Sequence, residues 1–395
     1  MFTRRSVLAN AAALTAAATV PAFGAEVIKI GNTFAYSGPA SSYGTGGKTL
    51  AAYFKKVNAE GGIHGRQIDF ISYDDAYSPP KTVEQIRRLV EQDEVDILFQ
   101  TFGTANNLAI RKYCNTNKIP QLFVLSASSK FNDPHNFPWT TAWQPSYFAE
   151  GKVYGKYIRD NIDHAKIAVL YQNDDFGKDY LNGLKQGLGD KSDQVAATAL
   201  YEIADPTVDS QVINLQASGA NVFLIVATSK FAAQAIKKSH EIGWDAQRFL
   251  SIVAVSVGGV LTPAGLDASK GIISATYLMD PSDPQWATNP DMLAWRSFMS
   301  KWYPDGDQND SMTSYAWAVA QTMAHVLEAA GPNAGREAIM HAATHMDHVR
   351  IPMLLPGITL STSDTNFGPI ESMRLMRFNG QSWTMFGDII NVGST

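Results

Sequence analysis

Short runs of β-branched and aromatic residues alternate with amphipathic stretches along this chain. The runs that read as strands are 27–32, 67–73, 97–99, 121–125, 166–171, 196–201, 222–227, 248–253 and 271–277. Between them a 3.6-residue period predicts helices over 47–60, 81–93, 107–117, 148–162, 176–188, 207–217 and 230–242. Short apolar strands separated by amphipathic helices predict parallel sheets covered on both faces. The alternation repeats more often than one doubly wound sheet carries, so it divides. A Pro-, Thr- and aromatic-rich stretch at 136–147 breaks it once, and Leu278 to Pro284 breaks it again, before a long helix at 312–330 and a β-like region at 357–392. The expected fold class is α/β, two doubly wound Rossmann-like lobes joined by about three hinge crossings. The expected segments are an export signal at 1–24, a first lobe at 26–145 and 280–368, and a second lobe at 146–279 and 369–395.

Composition fits that picture. With 395 residues, 45% of them hydrophobic, the chain can bury large cores without a disulfide, and its one cysteine, Cys114, permits none within the chain. The net charge is −5, or −7 without Arg4 and Arg5, which argues against nucleic acid and anionic membrane surfaces as partners. Arg4 and Arg5, the apolar stretch from Val7 to Val20 and the small residues Ala22 and Gly24 form an export signal. Thr3 to Leu8 resembles a twin-arginine signal, and an ordinary Sec signal carrying two arginines fits equally well. No later run of about 18 apolar residues exists to span a bilayer. The expected location is the periplasm, with a mature chain not inserted in the membrane.

Directly after the first strand, the loop Tyr36 to Gly44 is rich in Gly, Ser and Pro and leads into a helix that ends at Gly61 and Gly62. Strand, small-residue loop and helix follow one another as in nucleotide folds, but neither GxGxxG nor GxxxxGK[ST] is present. The loop reads as one that lets a small ligand approach backbone.

Several stretches in order resemble the type I periplasmic solute-binding proteins of ABC importers, in the branched-chain amino acid (leucine/isoleucine/valine) binding family. They are Ser37-Gly38-Pro39 with Tyr43-Gly44, then Asn58, Gly61, Gly62, Ile63, Gly65 and Ile68, and then Tyr73-Asp74-Asp75. The turns Gln100 to Asn107, Ser126 to Ser129 and Asp174 to Gly177 fall where the family has its cleft loops. Leu354 to Ile358, Met376 to Phe378, Gly380 and Trp383 resemble the last segment. The resemblance covers essentially the whole mature chain. It implies a monomeric periplasmic receptor that closes two lobes on a small ligand and docks on an inner-membrane permease, without cofactor, metal or catalytic residues.

Gly103 and Thr104 end one strand before a helix, and Ser126 to Ser129 are expected to do the same. Helix starts with hydroxyls beside them bind anions without a full positive charge, and such residues also cap their own helices. The resemblance places a ligand carboxylate at Thr104, Ser126, Ala127 and Ser128. In the family an acidic side chain meets the ligand's ammonium after the strand 248–253. Here that position is Val253, with no Asp or Glu from Ser251 to Val260, while Ser229 and Phe176 stand where the family commonly has tyrosines. An unpartnered buried ammonium costs several kcal/mol, so the ligand is expected to lack an amino group. The ligand body is expected against Tyr43, Phe102, Gly103, Tyr147, Phe176, Ser229 and Val253, with Phe231 or Trp143 as further candidates. One carboxylate clamp and a ring-lined pocket suit an aromatic or medium-chain acid. An amino acid receptor with a rearranged ammonium site, a sensory module and an enzyme on a Rossmann-like scaffold are the alternatives.

Other motifs read as scaffold. Asp74 and Asp75 read as a solvated or helix-capping pair. Asp305 to Asp310 resembles the start of a calcium loop, but Asp310 and Ala316 stand where Gly and Glu are needed, so it reads as a solvated turn. His341, His345 and His348 read as an exposed helix end, and Cys114 as a buried, inert thiol.

Overall fold

The computed structural model describes residues 27–393, so the expected export signal lies outside the described residues. The first sheet has the order β2-β1-β3-β4 and is parallel throughout. Its strands are β1 (Ile28–Phe34), β2 (Ile68–Asp74), β3 (Ile97–Phe99) and β4 (Gln121–Leu122), linked by α1 (Gly44–Ala59), α2 (Pro79–Glu91) and α3 (Thr104–Thr116). The second sheet contains β5 (Ile167–Gln172), β6 (Val195–Tyr201), β7 (Val222–Val226), β8 (Gln247–Leu250) and β9 (Ile273–Thr276). Around these lie α4 (Tyr147–Asn161), α5 (Asp175–Leu188), α6 (Asp209–Ala217), α7 (Ser229–Glu241) and the short turns α8 (Thr262–Ala264) and α9 (Leu266–Ser269). The chain then returns to the first lobe as α10 (Pro290–Trp302), α11 (Ser311–Ala330) and α12 (Arg336–Thr344). It ends with β10 (Ser372–Phe378) and β11 (Trp383–Asn391), which extend the second sheet antiparallel from β9 in the order β11-β10-β9-β8-β7-β5-β6. The α/β class and the two doubly wound lobes are as expected.

Central strands such as β7, buried at every residue, carry continuous apolar runs because helices cover both faces. The first-lobe core joins Ile30, Phe99 and Trp143 to Trp295, Val319 and Met353, so the returning segment completes it. Trp143 belongs to this core, its indole N–H donating to Thr322 at 3.0 Å, and Phe231 packs on Tyr201 inside the second lobe. Neither candidate ring faces a cavity.

Three expectations are corrected. The strand expected at 248–253 stops at Leu250, because the Ile252 amide donates at 2.9 Å to the side chain of Glu150 instead of a neighbouring strand. Val253 therefore lies in a single 3₁₀ turn, Ile252–Ala254. The strand expected at 121–125 ends at Leu122, since Phe123 takes a φ of 52° that no strand tolerates. Ser126 to Ser129 precede only a single 3₁₀ turn, Ser129–Phe131, and open no α-helix.

The closest helix contact positions the second-lobe half of the site. Gly151 and Gly155 of α4 face Gly183 and Gly187 of α5, one turn apart on each helix. A Cβ on Gly183 would lie 2.0 Å from the Phe148 carbonyl oxygen, and one on Gly155 would lie 2.2 Å from that of Leu184. Only glycine permits this backbone-to-backbone approach, and it holds Tyr147 at the start of α4 against Phe176 and Tyr180 of α5, with centroids 4.9 and 5.2 Å apart. We expect Gly183→Ala to lower stability by roughly 1–3 kcal/mol despite the better helix propensity of alanine. Urea unfolding checks this, and an unchanged midpoint would contradict the close packing.

Candidate ligand-binding cleft

The carboxyl ends of both sheets face each other across a cavity of about 100 Å³. From the first lobe Tyr43, Phe102, Gly103 and Thr104 line it, and from the second Tyr147, Phe176, Ser229 and Val253. Phe102 is the centre of one aromatic wall, with the rings of Tyr43 and Tyr77 at 4.8 and 4.9 Å. Gly103 takes a φ of 101°, and a Cβ there would come within 2.7 Å of the Tyr77 ring, so this turn into α3 requires glycine. Tyr77 is itself fixed from below by Asp75, which is fully buried. Asp75 accepts from the Tyr77 amide at 2.9 Å and the Thr82 hydroxyl at 2.7 Å. Asp75 is thus a buried support and not a solvated residue, and burial raises its pKa. Asp74 accepts from the amide and hydroxyl of Ser37 and the amide of Tyr36, shaping the first loop.

The polar residues assigned to a carboxylate divide. Thr104 lines the main cavity, and its hydroxyl pairs with that of buried Ser126 at 2.7 Å. Ala127 and Ser128 line a second, more polar cavity beside the hinge, which shares Gln144 with the first. The Ala127 carbonyl accepts from the Tyr147 amide at 2.8 Å, so that backbone contact lies between the two. The Ser128 hydroxyl is buried and makes no hydrogen bond within the protein.

Asp310 is the residue that sequence reasoning missed. It is 7% exposed, not solvated, and lines the main cavity. Its carboxyl accepts from the Met312 amide at 3.0 Å, capping α11, and from the hydroxyls of Thr45 and Ser256, both at 2.8 Å. Burial raises its pKa. The capping role was legible from an Asp before a helical period, but its approach to the cleft depends on Thr45 of α1 and on Ser256, both distant in the chain. Tyr77, Tyr277, Tyr315 and Gln144 also line the cavity and were not anticipated. Among the described residues no Lys, Arg or His does. Burial raises the pKa of every lining tyrosine, so each stays a neutral phenol and a hydrogen-bond donor.

The lobes touch at both rims. At one, Tyr43 reaches Val253 and Ser229, Ser256 reaches Asp310, and the Gly258 amide donates to the Asn309 carbonyl at 3.0 Å. At the other, the amide and hydroxyl of Ser129 donate to Asp179 at 2.7 and 3.1 Å, and Lys130 pairs with Asp175 at 2.8 Å. The cleft is closed. Among the described residues no cluster of three or more His, Cys, Asp or Glu is placed to hold a metal. His341 and His345 stack at 4.0 Å on an exposed helix end, and burial pushes the Cys114 thiol up to about 12, leaving it protonated and inert.

The fold that carries this cleft has counterparts among known proteins. The sequence model described as Periplasmic binding protein matches residues 27–382. The chain belongs to that family. It is similar to the Leu/Ile/Val-binding protein homolog 1 of Brucella abortus (strain 2308), with 24% identity over 327 residues, 82% of this chain and 84% of that one. The same fold is seen in a substrate-binding periplasmic protein from Ralstonia solanacearum, with TM-score 0.83 and 22% identity over 91% of this chain and all of that one. A branched chain amino acid ABC transporter from Thermus thermophilus with bound valine gives TM-score 0.83 and 15% identity, over 93% and 96% of the two chains. This periplasmic binding protein is a ligand-binding receptor and not an enzyme. Among the described residues no helix is long and apolar enough to cross a membrane.

Beneath the receptor's cleft lies Glu150, 1% exposed, which accepts from the hydroxyls of Tyr154 and Tyr180 and from the Ile252 amide. It couples the Tyr147–Tyr180 stack to the Ile252–Val253 wall. Burial pushes its pKa up from 4.5 to about 7, so the folded state holds a proton that the unfolded chain releases earlier. Its contribution to stability is full below pH 4.5 and is lost as pH rises to about 7. We expect wild type to lose about 3 kcal/mol more than Glu150→Gln across that window. Parallel pH–stability curves for the two proteins would contradict this.

Proposed function

We propose that this receptor captures a small aromatic carboxylic acid in the periplasm and delivers it to an ABC-type inner-membrane permease. The observation that carries this reading is the character of the cavity: aromatic on both walls, without a cation, and without an acid on the second-lobe wall at Ser229 and Val253. At about 100 Å³ the closed cavity is smaller than the ~150 Å³ apolar cavity that accepts benzene, which limits the ligand body to at most one ring and excludes a long acyl chain. In this reading the carboxylate lies at the wall between the two cavities, met by the Thr104–Ser126 hydroxyl pair from the main cavity and by the Ser128 hydroxyl beside Ala127 from the hinge-side one. The ring lies among Tyr43, Phe102, Gly103, Tyr147, Phe176, Ser229 and Val253. The export signal at 1–24 supports the periplasmic location, and the lobes divide at 145/146, 279/280 and 368/369. The chain acts as a monomer, since one closed cleft is built within it.

Asp310 favours a second reading. It places a carboxyl on the first-lobe wall, where it could meet an ammonium, and the names of the Brucella and Thermus proteins refer to branched-chain amino acids. Three hydrogen bonds from Thr45, Ser256 and Met312 already occupy this carboxyl, which leaves less of it for an ammonium. A thermal-shift screen separates the two readings. Ligand at 100 times its Kd stabilises by about 2.7 kcal/mol. Benzoate or cinnamate should raise Tm and leucine should not, and the opposite result would replace the first reading by the second. With the stabilising acid, Thr104→Ala combined with Ser128→Ala should lose roughly 1–3 kcal/mol of binding, read by calorimetry. Unchanged affinity would place the carboxylate elsewhere.

A further inference from the structure

The second lobe presents to the cavity one backbone donor and one backbone acceptor side by side, the Ser229 N–H and the Val253 C=O. Ser229 is the first residue of α7, where amides have no partner inside the helix. Val253 is in the 3₁₀ turn that follows β8, where Glu150 takes the Ile252 amide. Both are taken by a single side chain from the opposite lobe. The Tyr43 hydroxyl donates to the Val253 carbonyl at 2.8 Å and accepts from the Ser229 amide at 3.2 Å. Tyr43 is 6% exposed, is packed on Phe102 at 4.8 Å, and lies more than 180 residues from either partner in the chain. Burial pushes its pKa up to about 12, so the phenol keeps the proton it donates.

We propose that Tyr43 is the specificity-determining residue of this cleft: its hydroxyl is a built-in clasp that closes the lobes and consumes the polar pair a ligand's amino or hydroxyl group would need. This rests on the reading of the cleft as a carboxylic acid site, and it adds the cause of the selection. A ligand that is plain hydrocarbon at this wall leaves the clasp intact. A ligand with a polar group there must displace the phenol from both partners or be buried unpaired, and either is unfavourable. The same clasp acts without ligand, because its donor, bridge and acceptor are all protein groups.

The test compares wild type with Tyr43→Phe, which keeps the ring and removes only the bridging oxygen. Two probes share a skeleton and differ by one amino group: 3-phenylpropionate and L-phenylalanine. Wild type should prefer 3-phenylpropionate, and Tyr43→Phe should reduce that preference by about ten-fold or more, since a lost buried hydrogen bond is worth on the order of that factor. An equal loss for both probes would overturn the proposal, because a merely structural role predicts it. A ligand-free arm measures the distance between spin labels, one on each lobe: Tyr43→Phe should shift the distribution to longer distances, and identical distributions would overturn the clasp. Ser229→Pro removes one of the clasp's two bonds, the one from the Ser229 amide, at a helix position that accepts proline, and should shift the distribution the same way but less far. If wild type binds neither probe while the label distances still respond, the carboxylic acid reading fails and the clasp stands.

Discussion

The backbone contact between α4 and α5 is the constraint from which the second-lobe half of the cleft follows. Four glycines let the two helices approach until carbonyl oxygens of one occupy the space of side chains on the other. That approach fixes Tyr147 on Phe176 and Tyr180, and it places Glu150 where it can take the Ile252 amide. Removing that amide from strand pairing ends β8 and turns Val253 into the cleft wall. The Val253 carbonyl then becomes available to Tyr43. A packing contact far from solvent thus determines which backbone groups the cavity exposes.

Much of the fold was legible because its signals are local. β5 and β7 are buried on both faces and read as continuous apolar runs, and α2 and α5 show clear amphipathic periods. The start of α10 was also written in the chain, as Asn289 capping before Pro290, although the sequence reading passed over it. α12 has no capping side chain and gave no such signal. The misplaced strand ends have non-local causes. Phe123 adopts a left-handed backbone, and Ile252 yields its hydrogen bond to a residue 102 positions away.

The cleft was legible in its aromatic residues and less so in its polar ones. Tyr43, Phe102, Tyr147 and Phe176 follow strand ends or open helices, where topology alone directs them to the crevice. Asp310 is different: its burial depends on Thr45 and Ser256 meeting it from separate lobes. The residues expected to hold a carboxylate divide because Ser126 to Ser129 open no helix, leaving Ala127 and Ser128 on the hinge-side cavity. Local sequence specifies which loops face the cleft, while long-range contacts decide which groups those loops offer.

The central claim is a ring-walled cleft that takes an acid without an amino group, and a crystal structure of the receptor with benzoate tests it most directly. The ring should appear as electron density between Phe102 and Phe176, with the carboxylate within hydrogen-bonding distance of the Thr104 and Ser126 to Ser128 group and Tyr43 still bonded to Val253. Benzoate absent from the cleft, or its carboxylate turned toward Ser229 with Tyr43 displaced, would contradict it.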